Sequence, residues 1–325
     1  MDIEKLTGQY LFKRLGDYLI LYGRDFRIYK IDGSLVAQKA WRNVTCIVPL
    51  SDSSILCLHT LQKAYIAVSI TDGEELWRIQ YTWKKIFLTP DITINHSKTC
   101  VYQYAYKPDR NDLQFVVVID VVAQSAELLL LNRGLRSIAD IICDCDDTPC
   151  LLETHNENIG GETVSLNGIR LLFQDPLDIG EYPGSAYYYK YKWTTAPIAG
   201  GNRFFDGTDV ILTWNAQLYF PKTGEYRALV KDGELNVHYV LINKSADGRY
   251  LQMHEQHVAN GRDVVIDMQE QKIVAQYNAI CPGCIVGDEY WSTSKEGFRR
   301  RPFPLIEEYI PHFVAFEDVL RMTDD

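Results

Sequence analysis

Ala67-Val68-Ser69-Ile70-Thr71-Asp72-Gly73-Glu74-Glu75-Leu76-Trp77 is the stretch on which the reading of this chain turns. Ala67 to Thr71 alternates small and β-branched residues, Asp72-Gly73 breaks the run, and Leu76-Trp77 resumes it. That is a strand, a tight turn and a second strand. An Asx–Gly pair marks a hairpin because both central residues of a type I′ turn take positive φ, which these residues tolerate best. Outward from this point, six further pairs punctuate the chain: Asp32-Gly33, Asn167-Gly168, Asp206-Gly207, Asp232-Gly233, Asp247-Gly248 and Asn260-Gly261. Most are flanked by short β-branched or aromatic runs. No long stretch has apolar residues at helical spacing until the C-terminus.

The hairpins recur in register. Taking Gly33, Gly73, Ser125, Gly168, Gly224 and Gln271 as equivalent gives an average spacing of about 48 residues, the size of a four-stranded propeller blade. A second signal precedes the first by some twenty residues in most units: a polar turn and then an apolar strand. It reads Leu15-Gly16-Asp17-Tyr18-Leu19, Ser51-Asp52-Ser53-Ser54-Ile55, Asp146-Asp147-Thr148-Pro149-Cys150 and Ser245-Ala246-Asp247-Gly248-Arg249-Tyr250-Leu251. Two signals in a fixed order specify a repeat more strongly than one.

The Ser245–Leu251 copy resembles the turn between the first two strands of WD-repeat and TolB-like blades. Ala67–Trp77 resembles the quinoprotein (PQQ-like) repeat, departing from it at Ser69, where that repeat has Asp, and at Asp72, where it has Thr. The resemblance implies an all-β fold of the β-propeller architecture, forming one domain over residues 1–310. Dividing 325 residues by the period gives just under seven, so seven four-stranded blades are expected, with six and eight as alternatives. Gln9-Tyr10-Leu11-Phe12-Lys13 is then the expected closing strand, pairing with the last blade. Phe313, Phe316, Val319 and Leu320 fall at helical spacing, so a short amphipathic helix with an acidic tail is expected over 311–325. The competing architecture is a two-domain β protein divided near 180–202, a segment rich in Gly, Pro and Tyr.

Charge narrows the partners. With 33 Lys and Arg against 43 Asp and Glu, the net charge is −10, which opposes a broad phosphate-tracking surface. Nucleic acid is not an expected partner. Met1-Asp2-Ile3-Glu4-Lys5 is charged where an export signal is basic and then apolar, and no apolar run has the length of a bilayer crossing. A cytoplasmic protein without a membrane anchor is expected. Its eight cysteines are then reduced, several serving as small hydrophobes, as in Ile55-Leu56-Cys57-Leu58.

Several constellations carry chemistry on paper. Cys281-Pro282-Gly283-Cys284, with Cys143, Cys145 and Cys150, has thiolate pairs of zinc-site type, but the second half lacks ribbon spacing, so structural cysteine and no metal is the preferred reading. His254-Glu255-Gln256-His257 sets its imidazoles three apart in a strand context, where zinc proteases need four on a helix. Asp140, Asp144, Asp146 and Asp147 could hold a hard cation such as Ca²⁺ through oxygen ligands, but the loop lacks the Gly and spacing of an EF-hand, and a solvated acidic turn is the preferred reading. No nucleophile elbow, phosphate loop or dinucleotide fingerprint occurs, and no cofactor is expected.

Two segments are candidate binding surfaces. Read as a strand, Ser185–Trp193 puts Tyr187, Tyr189, Tyr191 and Trp193 on one face, as anchors for a partner or as packing between blades. Arg299, Arg300 and Arg301 form the one basic run, either a site for an acidic partner or a counter-charge to nearby carboxylates. The function expected is a protein- or peptide-binding scaffold. The runner-up is a propeller enzyme, a hydrolase or lyase with its site at the central channel.

Overall fold

The computed structural model describes residues 3–131, 137–143, 146–159, 162–171, 191–194, 210–212, 217–220, 223, 225–231, 239–245, 248–255, 261–279, 282–294 and 296–308. A 3-10 turn, Ile3–Lys5, is the sole helical element among them; all else that is regular is strand. The first sheet holds β1 (Leu11–Leu15), β2 (Tyr18–Tyr22), β3 (Phe26–Lys30) and β4 (Leu35–Lys39). The second holds β5 (Val44–Pro49), β6 (Ser54–His59), β7 (Ala64–Ser69) and β8 (Glu75–Gln80). The third holds β9 (Phe87–Ile94), β10 (Cys100–Lys107), β11 (Arg110–Asp120) and β12 (Ser125–Leu130). The fourth holds β13 (Ser137–Cys143), β14 (Pro149–Ile159), β15 (Glu162–Leu171) and β16 (Tyr191–Thr194). Three strands form the fifth: β17 (Ile211–Leu212), β18 (Gln217–Phe220) and β19 (Glu225–Ala228). The sixth is β20 (Tyr239–Lys244), β21 (Tyr250–Glu255), β22 (Arg262–Asp267) and β23 (Lys272–Asn278), and the last is β24 (Cys284–Val286), β25 (Glu289–Ser294) and β26 (Gly297–Pro302). Each sheet is an antiparallel meander in chain order.

The repeat is visible in the backbone hydrogen bonds. Just after the third strand, the N–H groups of Ile31, Ile70, Val121 and Met268 donate to the carbonyls of Asp17, Ser53, Thr99 and Arg249 at 2.9, 2.9, 2.9 and 2.8 Å. Each bond ties the end of a third strand to the turn between the first two. The turns that follow have their left-handed residue at Gly33, Gly73, Gln124 and Gln271, with φ of 85, 78, 53 and 53°. In the Asp32-Gly33 and Asp72-Gly73 turns only the Gly is left-handed, so they are not the type I′ turns the sequence suggests. Their aspartates act instead as side-chain turn caps: Asp32 Oδ1 accepts from Ser34 N at 2.8 Å and Asp72 Oδ1 from Glu74 N at 2.9 Å.

Two points of the sequence register shift. In the third sheet the left-handed residue is Gln124, one place before Ser125. Asn167-Gly168 is not a turn; it lies within β15, paired with Thr154 and Glu153 of β14.

Burial explains why alternation is weak in the sequence. The second and third strands are covered on both faces: β6 and β7 are buried almost throughout, and β3 is buried except at Lys30. The fourth strands β4, β8 and β12 are more open, with no fully buried position. A strand covered on both sides reads as a continuous apolar run, which is what Ala64-Tyr65-Ile66-Ala67-Val68 is.

The chain divides into two compact units, one of residues 44–228 and one of 1–43 with 229–325. In the 44–228 unit, Leu56, Tyr65, Ala67, Ile92, Val101 and Val117 form the core between the second and third sheets, with Trp77 packed against it. In the other unit Ile3, Leu6, Tyr10 and Phe12 pack on Cys284, Val286 and Trp291. Fully burying one such side chain contributes about 1.5–3 kcal/mol.

Leu11–Leu15 pairs with Tyr18–Tyr22 in the first sheet, so residues 9–13 do not supply a strand to the last sheet. The link to that sheet is made just before β1, where Tyr10 N donates to Thr293 Oγ1 at 2.8 Å and Thr293 Oγ1 donates to Tyr10 O at 3.2 Å. Leu6 O also accepts from Phe298 N at 3.2 Å. The helix expected over 311–325 lies outside the described residues. Among the described residues no helix is long and apolar enough to cross a membrane.

Candidate functional site

In the 44–228 unit, the turn after β6, the segment after β8 and the turn after β10 share one end, because antiparallel pairing sets Ala64 opposite Gln80 and Phe87 opposite Tyr106. The segment Tyr81-Thr82-Trp83-Lys84-Lys85-Ile86 crosses between the second and third sheets at that end. Tyr81 N anchors it by donating to Lys63 O at 2.9 Å. Tyr81 and Trp83 are half-buried, packing against the core between the second and third sheets, and their rings stack at 4.9 Å between centroids with 16° between planes. Tyr81 in turn packs on Tyr65 at 5.5 Å.

Tyr65 makes the platform rigid. Wholly buried, it donates from its hydroxyl to Gln103 Oε1 at 2.5 Å, and Gln103 Nε2 donates onward to Thr89 O. Burial holds its phenol well above the ordinary value of 10, so it stays a donor. This chain of bonds fixes the second sheet against the third directly beneath the Tyr81–Trp83 stack.

Around the stack the surface is apolar with a basic rim. Phe87 packs on Tyr106 at 5.1 Å and is still 50% exposed, and Leu61 at the β6–β7 turn is 68% exposed. A lone exposed apolar residue needs no explanation, whereas several gathered at one end with aromatic neighbours are unusual on a surface. Lys84 and Lys85 are exposed, and Lys107 is half-buried. Lys85 takes φ of 57° and reaches Asp109 at 3.8 Å, a solvent-exposed pair that holds little. Aromatic anchors within a charged rim are the composition of a protein-binding patch.

The candidates named from sequence are distributed differently. Tyr191 and Trp193 lie in β16, while Tyr187 and Tyr189 lie outside the described residues. Arg299, Arg300 and Arg301 are in β26, and each meets a carboxylate: Arg299 with Glu296, Arg300 with Glu4 at 3.2 Å, and Arg301 with Glu307 at 2.9 Å. Arg300 also covers the Trp291 ring at 4.5 Å and Arg301 the Tyr290 ring at 4.8 Å. Alternation along the strand sends Arg300 to the face opposite Arg299 and Arg301.

His254 binds Asp263, a fully buried carboxylate, through Nδ1 at 2.6 Å. The other oxygen of Asp263 accepts from Tyr290 Oη at 2.6 Å, Gln252 Nε2 at 2.7 Å and Gly283 N at 3.1 Å. A side chain at Gly261 would lie 3.0 Å from His254 Nε2, so backbone crosses the ring edge that a reacting group would need. The pair is a structural junction of the sixth and last sheets. Burial pushes the thiols of Cys143 and Cys284 up to about 12, far from the thiolate that metal or redox chemistry uses. Cys145 and Cys281 lie outside the described residues, as do Asp144 and His257. Among the described residues no three metal-ligating side chains converge.

No protein-family model matches the sequence, and no curated protein matches it. Among solved structures, the β-propeller domain of Cps50 (Swd1) from Myceliophteria thermophila is similar over 91% of this chain and 97% of its own, with TM-score 0.55 and 9% identity. KlAtg21, solved in complex with the coiled coil of AgAtg16, covers 81% of this chain and 82% of its own at TM-score 0.46 and 11% identity. BamB from Moraxella catarrhalis covers 89% of this chain and 70% of its own at TM-score 0.31 and 11% identity. At such identities the first likeness carries architecture and no activity. Successive antiparallel meanders of three or four strands, four of them cross-tied at equivalent turns, together with the likeness to that domain over most of the chain, make this chain a protein of the β-propeller fold.

Proposed function

We propose that the chain is a protein-binding module of the cytoplasm that docks an extended peptide segment of its partner on the aromatic end of the 44–228 unit. The partner segment is acidic and carries apolar side chains, because the surface offers Tyr81, Trp83, Phe87 and Leu61 with Lys84 and Lys85 at the rim. The observation that carries this reading is the Tyr81–Trp83 stack, which rests on Tyr65 and the buried hydrogen-bond chain that ties the second sheet to the third. A preorganised aromatic pair loses little side-chain entropy on binding. Cys57, Cys100, Cys143 and Cys284 are free thiols, which supports a reducing compartment. The seven described sheets support a seven-bladed propeller.

Selection of a random peptide display library against the purified chain tests the proposal. Enriched peptides are expected to be acidic with aromatic or aliphatic anchors, and Trp83→Ala is expected to weaken them by tenfold or more, about 1.4 kcal/mol, as for an interface hot spot. Lys84→Glu with Lys85→Glu is expected to slow association. Peptides that bind Trp83→Ala and Tyr81→Ala as tightly as the parent chain refute the site.

A further inference from the structure

A cavity of about 450 Å³ opens in the other unit, where the first hairpins of the sixth, last and first sheets come together. The volume falls in the range of small-molecule sites. Leu15, Tyr250, Ile285 and Phe303 supply apolar wall, and Asn243, Ser245 and Gln252 supply neutral polar groups. Tyr250 and Phe303 meet edge to face at 6.0 Å and 86°. Cys284, buried and held protonated, adds neutral wall.

Among the described residues one charged group lines this space. Arg14 Nε donates to Gly16 O at 3.1 Å and Nη1 donates to Ile285 O at 2.7 Å. Two carbonyls from two different sheets therefore fix the guanidinium, and among the described residues no carboxylate lies within ion-pair distance of it. The other arginines of β22 and β26 meet a carboxylate, as Arg262 does Glu255 at 3.1 Å. A guanidinium has five N–H groups, so three on Arg14 remain beyond the two given to carbonyls. Gly16 and Gly287 stand at the rim, and a side chain built on either would touch nothing within 4 Å, which leaves the approach open.

The polar floor is also preset. Gln252 gives its amide N–H groups to Asp263 Oδ2 at 2.7 Å and Gly283 O at 2.9 Å, so its Oε1 is the atom turned to Asn243, 3.5 Å away. Asp263, fully buried, already meets four donors.

We propose that this cavity binds a small organic monocarboxylate, its carboxylate on Arg14 and its apolar body between Leu15, Tyr250 and Phe303. A planar two-oxygen anion matches the remaining fork of a fixed guanidinium. A phosphate dianion needs more cationic donors than one arginine with neutral neighbours supplies. The site is separate from the aromatic face and does not depend on it.

Calorimetric or NMR titration of the full chain with phenylacetate tests the proposal, with phenylacetamide as uncharged control and inorganic phosphate as competitor. Phenylacetate is expected to bind saturably with Kd of about 1 mM or tighter, and the amide at least about tenfold more weakly. Arg14→Gln, at an exposed position, is expected to bring the acid to the level of the amide. Leu15→Trp, which fills the cavity, is expected to abolish binding while the thermal transition persists. Equal binding of acid and amide, displacement by phosphate as effective as by carboxylate, unchanged affinity in both variants, or no binding by the parent chain would each overturn it.

Discussion

Replacing Asp263 by alanine should destabilise the 1–43 and 229–325 unit by about 3–5 kcal/mol, the range for removing one partner of a buried charged network. The residue has no exposed surface and four donors converge on it. After truncation Gly283 N still has Tyr290 Oη as acceptor at 3.1 Å, and one Gln252 N–H still has Gly283 O. Three donors then lose their acceptor: His254 Nδ1–H, the second Gln252 N–H and the Tyr290 hydroxyl. Each costs about 1–3 kcal/mol when left buried and unpaired, less what a water admitted into the space recovers. Asp263→Asn keeps the shape and one acceptor oxygen for the three donors on that side, and His254 can accept from the new amide in its other tautomer. Only the charge assistance is lost, about 1–2 kcal/mol. Urea unfolding followed by tryptophan fluorescence, with an unchanged denaturant slope, measures both. A loss below about 1 kcal/mol for the alanine, or equal losses for alanine and asparagine, would show that acceptor geometry is not what holds this junction.

Gly283→Ala should be worse than an ordinary core change: the added carbon would lie 2.2 Å from Trp291 O and 2.7 Å from the Tyr290 ring, so a loss of about 3 kcal/mol or more is expected in the same unfolding assay. Tyr65→Phe should remove the hydroxyl bond to buried Gln103 at a cost of about 1–2 kcal/mol, and should weaken peptide binding on the aromatic face without abolishing it. Alkaline pH should unfold the chain: burial, the largest cause in each, raises Tyr10, Tyr104 and Tyr277 to about 12. Unfolded tyrosine titrates near 10, so above that pH the unfolded chain binds fewer protons than the folded one. Their contribution is complete below about pH 10 and disappears as pH rises toward about 12; tyrosinate absorbance should therefore appear together with unfolding, and early ionisation in a still-folded protein would contradict it.

Local chemistry made the hairpins legible. Asp32-Gly33 and Asp72-Gly73 announce their turns, and Ser51–Ser54, Asp146–Thr148 and Ser245–Arg249 each connect first and second strands. Asn167-Gly168 carries the same local signal and is overridden, because a ladder from Cys150 paired with Leu171 to Ile159 paired with Glu162 runs through it. Gln124 and Gln271 are the reverse case: they take left-handed backbone with no Gly to mark it, because the hairpin around them is fixed by its strands. Residues 9–13 read as a strand, yet the partner of a strand is a long-range choice that no local pattern states. The aromatic face was not singled out in the sequence: nothing local sets Tyr81 and Trp83 apart from other aromatics, and it is the pairing of Phe87 with Tyr106 and the bond from Tyr81 to Lys63 that put them at one end. Nothing in the sequence tells Arg14 from other arginines. What distinguishes it is the pair of carbonyls it meets, one of them 271 residues away.

The seam at Tyr10 and Thr293, 283 residues apart, bears on the order of assembly. During synthesis residues 44–228 emerge whole and can condense while translation continues, whereas the opening segment must idle with Ile3, Leu6 and Phe12 uncovered until Trp291 leaves the ribosome. Domains fold as units in the order they emerge, and contacts between distant residues close slowly. Residues 44–228 therefore mature before residues 1–43 do, and the interval in between is when holding factors have the most apolar surface to grip.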